Sequence, residues 1–237
     1  MASKISLKDY LISGIRDIVF GLEDGLVSTL GVLTGIASGT NDHFVVILSG
    51  FVLVIVEALS MGVGSFLSAQ SEHDMQQRQL KDLKTLTKQD PNQAEKLLAD
   101  HYQEIGLTQA QIKSCLQLVE KNKQVLAQEL GVHHLGLVTE NKKQNTIING
   151  LLMFIAYIIG GAVPILPYFF WPVDQALIIS IPFTVIALFM LGAAKGKLTY
   201  TNWWKSGLQM AILSCSAALL GFLIGKLVAY EWGINIS

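Results

Sequence analysis

Long apolar runs broken by a single polar block set the pattern of this chain. Five stretches, at about 15–38, 43–70, 147–169, 174–194 and 206–230, are each long enough for the roughly 20 residues that cross hydrocarbon. They predict five transmembrane helices. Between the second and third lies a polar stretch, 71–145, with ten Lys/Arg, ten Asp/Glu and four of the five histidines. No bilayer accepts that density of charge. The pattern therefore predicts an all-α membrane protein in three parts: residues 1–70 with the first two spans, a helical insert over 71–145, and residues 146–237 with the last three spans.

The insert carries explicit helix punctuation. Asp90-Pro91 offers an N-cap followed by proline at the first helical position, and Gly106 offers a C-terminal stop before a Thr108-x-x-Gln111 capping box. Two helices are expected, about 91–105 and 109–130. Ala94, Leu97, Leu98, Tyr102 and Ile105 form an apolar stripe on the first, and Ile112, Leu116, Val119, Leu126 and Leu130 form one on the second. Each stripe needs a partner, either the other helix or a second subunit.

Composition agrees with the membrane reading: 51% of residues are hydrophobic, 15% are charged and the mean hydropathy is +0.46. A net charge of -1, with no basic run interleaved with aromatics, argues against a nucleic-acid partner. Cys115 and Cys215 form neither a disulfide framework nor a CxxC site, and both read as packing residues. The N-terminus does not read as a removable signal peptide. Placing it inside puts sixteen of the seventeen Lys and Arg on the cytosolic side, all but Lys226. The connections around Asn41-Asp42-His43 and Trp171-Pro172-Val173-Asp174 carry no Lys or Arg, as outer loops should. The expected topology has a cytosolic N-terminus and insert and an outer C-terminus.

Candidate chemistry lies in the spans. Asp17, Glu23 and Asp24 sit in the first run, where a carboxylate costs several kcal/mol unless it faces a cavity, a proton or a cation. Asp17 and Asp24 are seven residues apart and share one helix face, while Glu23 is rotated about 100° away. Asp17 is expected near the cytosolic end, with pairing to Arg16 or to solvent as the alternative to a transport role. Asp24 lies deeper. Glu57 and Met61, spaced i to i+4 in the second run, stack on one face, with Ser60 and Ser65 as polar neighbours. A carboxylate beside a thioether suits a borderline-soft divalent cation, with ordinary core packing as the alternative for Met61.

Gly21-x-x-x-Gly25, Gly31-x-x-x-Gly35, Gly192-x-x-x-Gly196 and Gly221-x-x-x-Gly225 predict close helix approach. Pro164, Pro167, Pro172 and Pro182 are expected at or near outer helix ends, with a possible kink at Pro182. In the insert, acidic and imidazole side chains such as Glu72, His73, Asp74, His101, Glu104, Glu120, Glu129, His133 and His134 offer ligands. None has the spacing of a ferritin-like oxidase centre.

RDIVFGLEDGLVSTLGVLTGIASG followed by EALSMGVGSFLSAQSE closely resembles the first two helices of the vacuolar iron transporter family. IIGGAVPILPYFF is similar to that family's third helix, and ALFMLGAAKGKLTYTNWWKSGLQM to its junction of the fourth and fifth. The resemblance spans essentially the whole chain. It implies a homodimer of five-helix subunits, a cytosolic metal-binding domain between helices two and three, and proton-coupled export of Fe(II) and related ions from the cytosol. It assigns Asp17, Asp24 and Met61 to the translocation path, with Glu57 where relatives carry Glu, Asp or Gln. In the insert it picks out Glu95 and Glu129, beside the further candidates Glu72 and Glu104. The departures are local: Ser65 stands where many relatives carry Glu, the plant-type proline is absent from Val27-Ser28-Thr29, and Val125 and Leu126 replace a methionine pair. The glutamate-rich helix after Glu72 has become mostly Gln, Lys and Leu.

The expectation is a secondary transporter, not an enzyme and without a cofactor, that exports Fe2+ or Mn2+ by proton antiport. Its partners are the metal ions, protons, membrane lipid and a second copy, in a bacterial inner membrane or a vacuolar membrane. The competing reading is a membrane-anchored metal sensor or buffer without transport.

Overall fold

The computed structural model describes residues 14–119, 123–133 and 146–231. All regular structure among them is helical: α1 (Ile15–Gly39), α2 (His43–Gln89), α3 (Pro91–Glu104), α4 (Gln109–Val119), α5 (Lys123–His133), α6 (Thr146–Ile165), a 3-10 turn (Leu166–Phe169), α7 (Val173–Leu198) and α8 (Trp203–Glu231). Five segments are long and apolar enough to cross a membrane: Ile15–Gly39, His43–Gln89, Thr146–Phe169, Val173–Leu198 and Trp203–Val228. The all-α, five-span class read from the sequence holds. The chain divides into two compact units, Met1–Leu67 with Thr146–Ser237, and Ser68–Asn145.

The helix of the second apolar run does not stop where the polar block begins. Residues 71–89 contain neither glycine nor proline, so nothing breaks α2 before Asp90-Pro91. At its other end the Asp42 carboxylate accepts from the Val45 amide at 3.1 Å, satisfying one of the donors a helix start leaves free. Pro182 differs from its expected place, lying well inside α7.

Within the first unit, α1 is the helix the others close upon. A Cβ on Gly25 would stand 2.5 Å from the Tyr157 carbonyl oxygen of α6, and one on Gly160 2.5 Å from that of Leu22. Farther along, a Cβ on Gly35 would stand 2.9 Å from the Gly221 carbonyl oxygen of α8. Gly25 and Gly31 are six residues apart, about 240° around the helix. The first glycine pair thus serves α6 and the second α8. Gly62 and Gly150 bring α2 onto α6 in the same way. Beyond Pro164, where the helix tightens into the 3-10 turn, the Pro164 carbonyl accepts from the Ser180 hydroxyl of α7 at 2.8 Å.

The second unit has its own core: Leu83, Ala94, Leu98, Tyr102, Ile112, Val119, Leu126 and Leu130 are buried together. The Asp90 carboxylate caps α3 by accepting from Gln93 N at 3.0 Å. Gly106 takes φ +92°, the left-handed region glycine enters without a Cβ clash. The Gln111 side chain reaches back to Thr108 N at 2.8 Å. Ile105 departs from the expected stripe and is 56% exposed. It follows the last helical residue, where the chain turns toward Gly106 and away from the buried face.

Candidate functional site

Four of the sequence candidates, Asp17, Asp24, Glu57 and Met61, belong to α1 and α2 in the first unit, and all are half-buried. Asp24 accepts from the Ser28 hydroxyl one turn along α1 at 3.0 Å. Ser28 and Glu57 both line a groove of ≈ 850 Å³ walled by α1, α2 and α8, in which most of the other lining groups are glycine or aliphatic. Met61 packs against the buried cluster that contains Tyr157. The Tyr157 hydroxyl is buried with no hydrogen-bond partner among the described residues. Ser28, bonded to Asp24, and Glu57 thus bring α1 and α2 together at one groove.

Tyr157 and Ser28 were not among the sequence candidates. One signal was available: a tyrosine inside an apolar span must place its hydroxyl somewhere, and a serine four residues after an intramembrane aspartate lies on the same helix face.

Asp17 is a separate station. Its seven-residue offset from Asp24 corresponds to about 10 Å along the helix axis. Its carboxylate accepts from the Ser65 hydroxyl of α2 at 3.0 Å. Ser65, noted in the sequence as a substitution for glutamate, is thus in direct contact with a candidate acid.

The insert's candidates lie in the second unit. Glu72 on α2 and Glu104 at the end of α3 are exposed, while Glu95 and Glu129 are half-buried. Burial first, then the Glu129 carboxylate and the Cys115 thiol, hold the Tyr102 phenol above its ordinary value of 10.0. Cys115 packs against the core as expected, whereas Cys215 is exposed on α8. His134 and Glu120 lie outside the described residues. No three His, Cys, Asp or Glu side chains among the described residues converge in a metal-holding group.

Chemically, carboxylates from two membrane helices at one groove attract a cation or a proton. Oxygen donors suit hard and borderline divalent ions, and a nearby thioether favours the softer of these.

Known proteins resemble this chain over most of its length. A family model described as "VIT family" matches residues 15–226. "Vacuolar iron transporter 1" of Eucalyptus grandis is 30% identical over 215 residues, covering 90% of this chain and 86% of its own length. "Vacuolar iron transporter 1" of Arabidopsis thaliana is 28% identical over 217 residues, with 91% and 86% covered. "Protein CCC1" of Saccharomyces cerevisiae is 29% identical over 223 residues, with 90% and 69% covered. With a match running from the first membrane helix to the last, this multi-pass membrane protein belongs to the VIT family.

Proposed function

We propose that this protein is a secondary transporter that exports Fe(II), and Mn(II) beside it, from the cytosol in exchange for protons. The observation that carries this reading is that Glu57 of α2 and Ser28 of α1, whose hydroxyl donates to Asp24, line one groove. A carboxylate in hydrocarbon costs roughly 2.5–3.5 kcal/mol, and a bound cation or proton offsets that cost. The same two acids serve both, so metal and proton compete, and competition is the coupling. The relatives named vacuolar iron transporter support iron as the cargo.

In this reading an ion enters at the end of α1 that carries Asp17, passes to Asp24 and Glu57 with Met61 alongside, and is released as protons take its place. The N-terminus and the second unit face the cytosol, in keeping with the charge asymmetry. In this reading the transporter is a homodimer, as the resemblance of its first two helices implies. Cross-linking and light scattering on the purified protein test the dimer.

The transport experiment is reconstitution into liposomes with an imposed pH gradient, measuring Fe(II) or Mn(II) flux together with proton movement. Asp24→Asn is expected to abolish both. Wild-type flux in that variant would sink the assignment, and flux without proton movement in the unsubstituted protein would sink antiport alone.

The acidic and histidine side chains of the insert motivate a second reading, in which it buffers metal and nothing is transported. Metal binding lost on removing residues 73–140, with no flux in either form, would support it.

A further inference from the structure

The turn joining α7 to α8 carries charge that the cation site does not use. From residue 175 to residue 230 the chain contains no Asp or Glu, yet Lys195, Lys197 and Lys205 fall within eleven residues around this turn. All three are exposed. None has an ion-pair partner among the described residues.

Aromatic rings surround them. Tyr200 is 99% exposed, Trp204 55% and Trp203 46%. Lys197 Nζ stands 6.0 Å from the centre of the Trp203 ring. Trp203 and Trp204 meet edge to face at 5.5 Å, and Trp204 meets Phe189 of α7 at 5.1 Å.

The turn is also well fixed. Gly192 and Gly196 admit the α8 backbone, since a Cβ on Gly192 would stand 2.6 Å from the Ser206 carbonyl oxygen and one on Gly196 2.7 Å from Trp203 Cα. Thr201 N donates to the Gly196 carbonyl at 2.9 Å. The Asn202 side chain accepts from Trp204 N and Lys205 N at 3.1 and 3.2 Å. Those backbone donors are therefore spoken for, and the groups left to meet an anion are the three ammonium ions.

Ammonium groups without acids, beside exposed indoles, at the shared end of two membrane-spanning helices, match one environment. Phosphate at the bilayer surface answers the lysines, and the ester layer beneath it answers the amphipathic indole rings. A soluble polyanion would account for the lysines and leave the tryptophans unexplained. We infer that this turn is a binding site for the headgroup of an anionic phospholipid, with Lys195, Lys197 and Lys205 meeting the phosphate and Trp203 and Trp204 seated just below it. The inference does not depend on the transport reading.

Indole fluorescence reports on it directly. The full-length chain with Trp171→Phe and Trp232→Phe retains Trp203 and Trp204 as its only tryptophans. It is reconstituted in phosphatidylcholine vesicles containing an equal minor fraction of either brominated phosphatidylglycerol or brominated phosphatidylcholine. Brominated phosphatidylglycerol is expected to quench several-fold more effectively. Each lysine near an anionic surface contributes roughly fivefold in partition, so Lys195→Gln, Lys197→Gln and Lys205→Gln together should remove most of the preference. Raising the salt concentration should shrink it in the unsubstituted turn, because surface charge is screened within about 10 Å at 0.1 M. Equal quenching by the two lipids would overturn the site. So would a preference that survives lysine replacement or high salt.

Discussion

The Ser65 hydroxyl of α2 donates to the Asp17 carboxylate of α1 at 3.0 Å, between residues 48 positions apart. A hydrogen bond to a charged acceptor contributes roughly 1.5–3 kcal/mol. Both residues here are half-buried rather than enclosed, so the lower half of that range applies. Ser65→Ala is expected to lower stability by about 1.5–2 kcal/mol, read as a drop in the thermal midpoint of the detergent-solubilised protein. Ser65→Thr keeps the hydroxyl and should recover most of the loss. An alanine variant as stable as the parent would show that the contact contributes nothing.

Tyr157→Phe separates stability from function. Its hydroxyl is buried without a partner among the described residues, and an unpaired buried hydroxyl costs roughly 1–3 kcal/mol. Removing it should leave the thermal midpoint unchanged or raised. If the phenol takes part in metal transport, flux should fall about tenfold or more, the equivalent of losing one hydrogen bond. Parallel measurement of melting and flux checks both halves, and a variant that melts early would contradict the unsatisfied hydroxyl.

Two glycine substitutions should behave oppositely. Gly25→Ala sets a methyl against the Tyr157 carbonyl oxygen, whereas a Cβ on Gly64 meets nothing within 4 Å. Gly25→Ala is expected to destabilise by about 1–3 kcal/mol through overpacking. Gly64→Ala gains about 0.5–1 kcal/mol from helix propensity. Size-exclusion profiles after a heat step rank the two against the parent.

Glu129→Gln tests the electrostatics of the second unit. Burial and the Glu129 charge both raise the Tyr102 phenol above 10.0. Removing the charge should move the phenol downward, though burial keeps it above the ordinary value. The sign for stability follows: a phenol raised on folding contributes fully below pH 10.0, and the contribution fades as pH climbs toward the folded value. The variant should therefore lose less stability to alkali through this residue. Phenolate absorbance during a pH titration measures the shift, and no movement would mean that Glu129 does not act on Tyr102.

Much of the fold was legible because membrane helices leave a coarse trace: apolar length, capping residues and glycine spacing. The end of α2 was less so, since hydropathy marks where a helix leaves hydrocarbon and not where it stops; that required noticing the absence of any breaker before Asp90-Pro91. Ile105 misled because periodicity continued past the last helical residue. Asp24 and Glu57 stood out through the cost of charge in a span. Tyr157 and Ser28 did not, because neither is costly by itself and their meeting depends on the rotation of α1 against α6. That rotation is fixed by Gly21, Gly25 and Gly160, whose part in the site is seen only once the helices are assembled.

The seams on α1 bear on how the acids are held. Where Gly25 lies on the Tyr157 backbone and Gly35 on that of Gly221, main chain meets main chain with no side chain between to absorb a shift. The helix that carries Asp17 and Asp24 is thereby held at backbone distance by α6 and α8, and a displacement of either neighbour passes to it undamped.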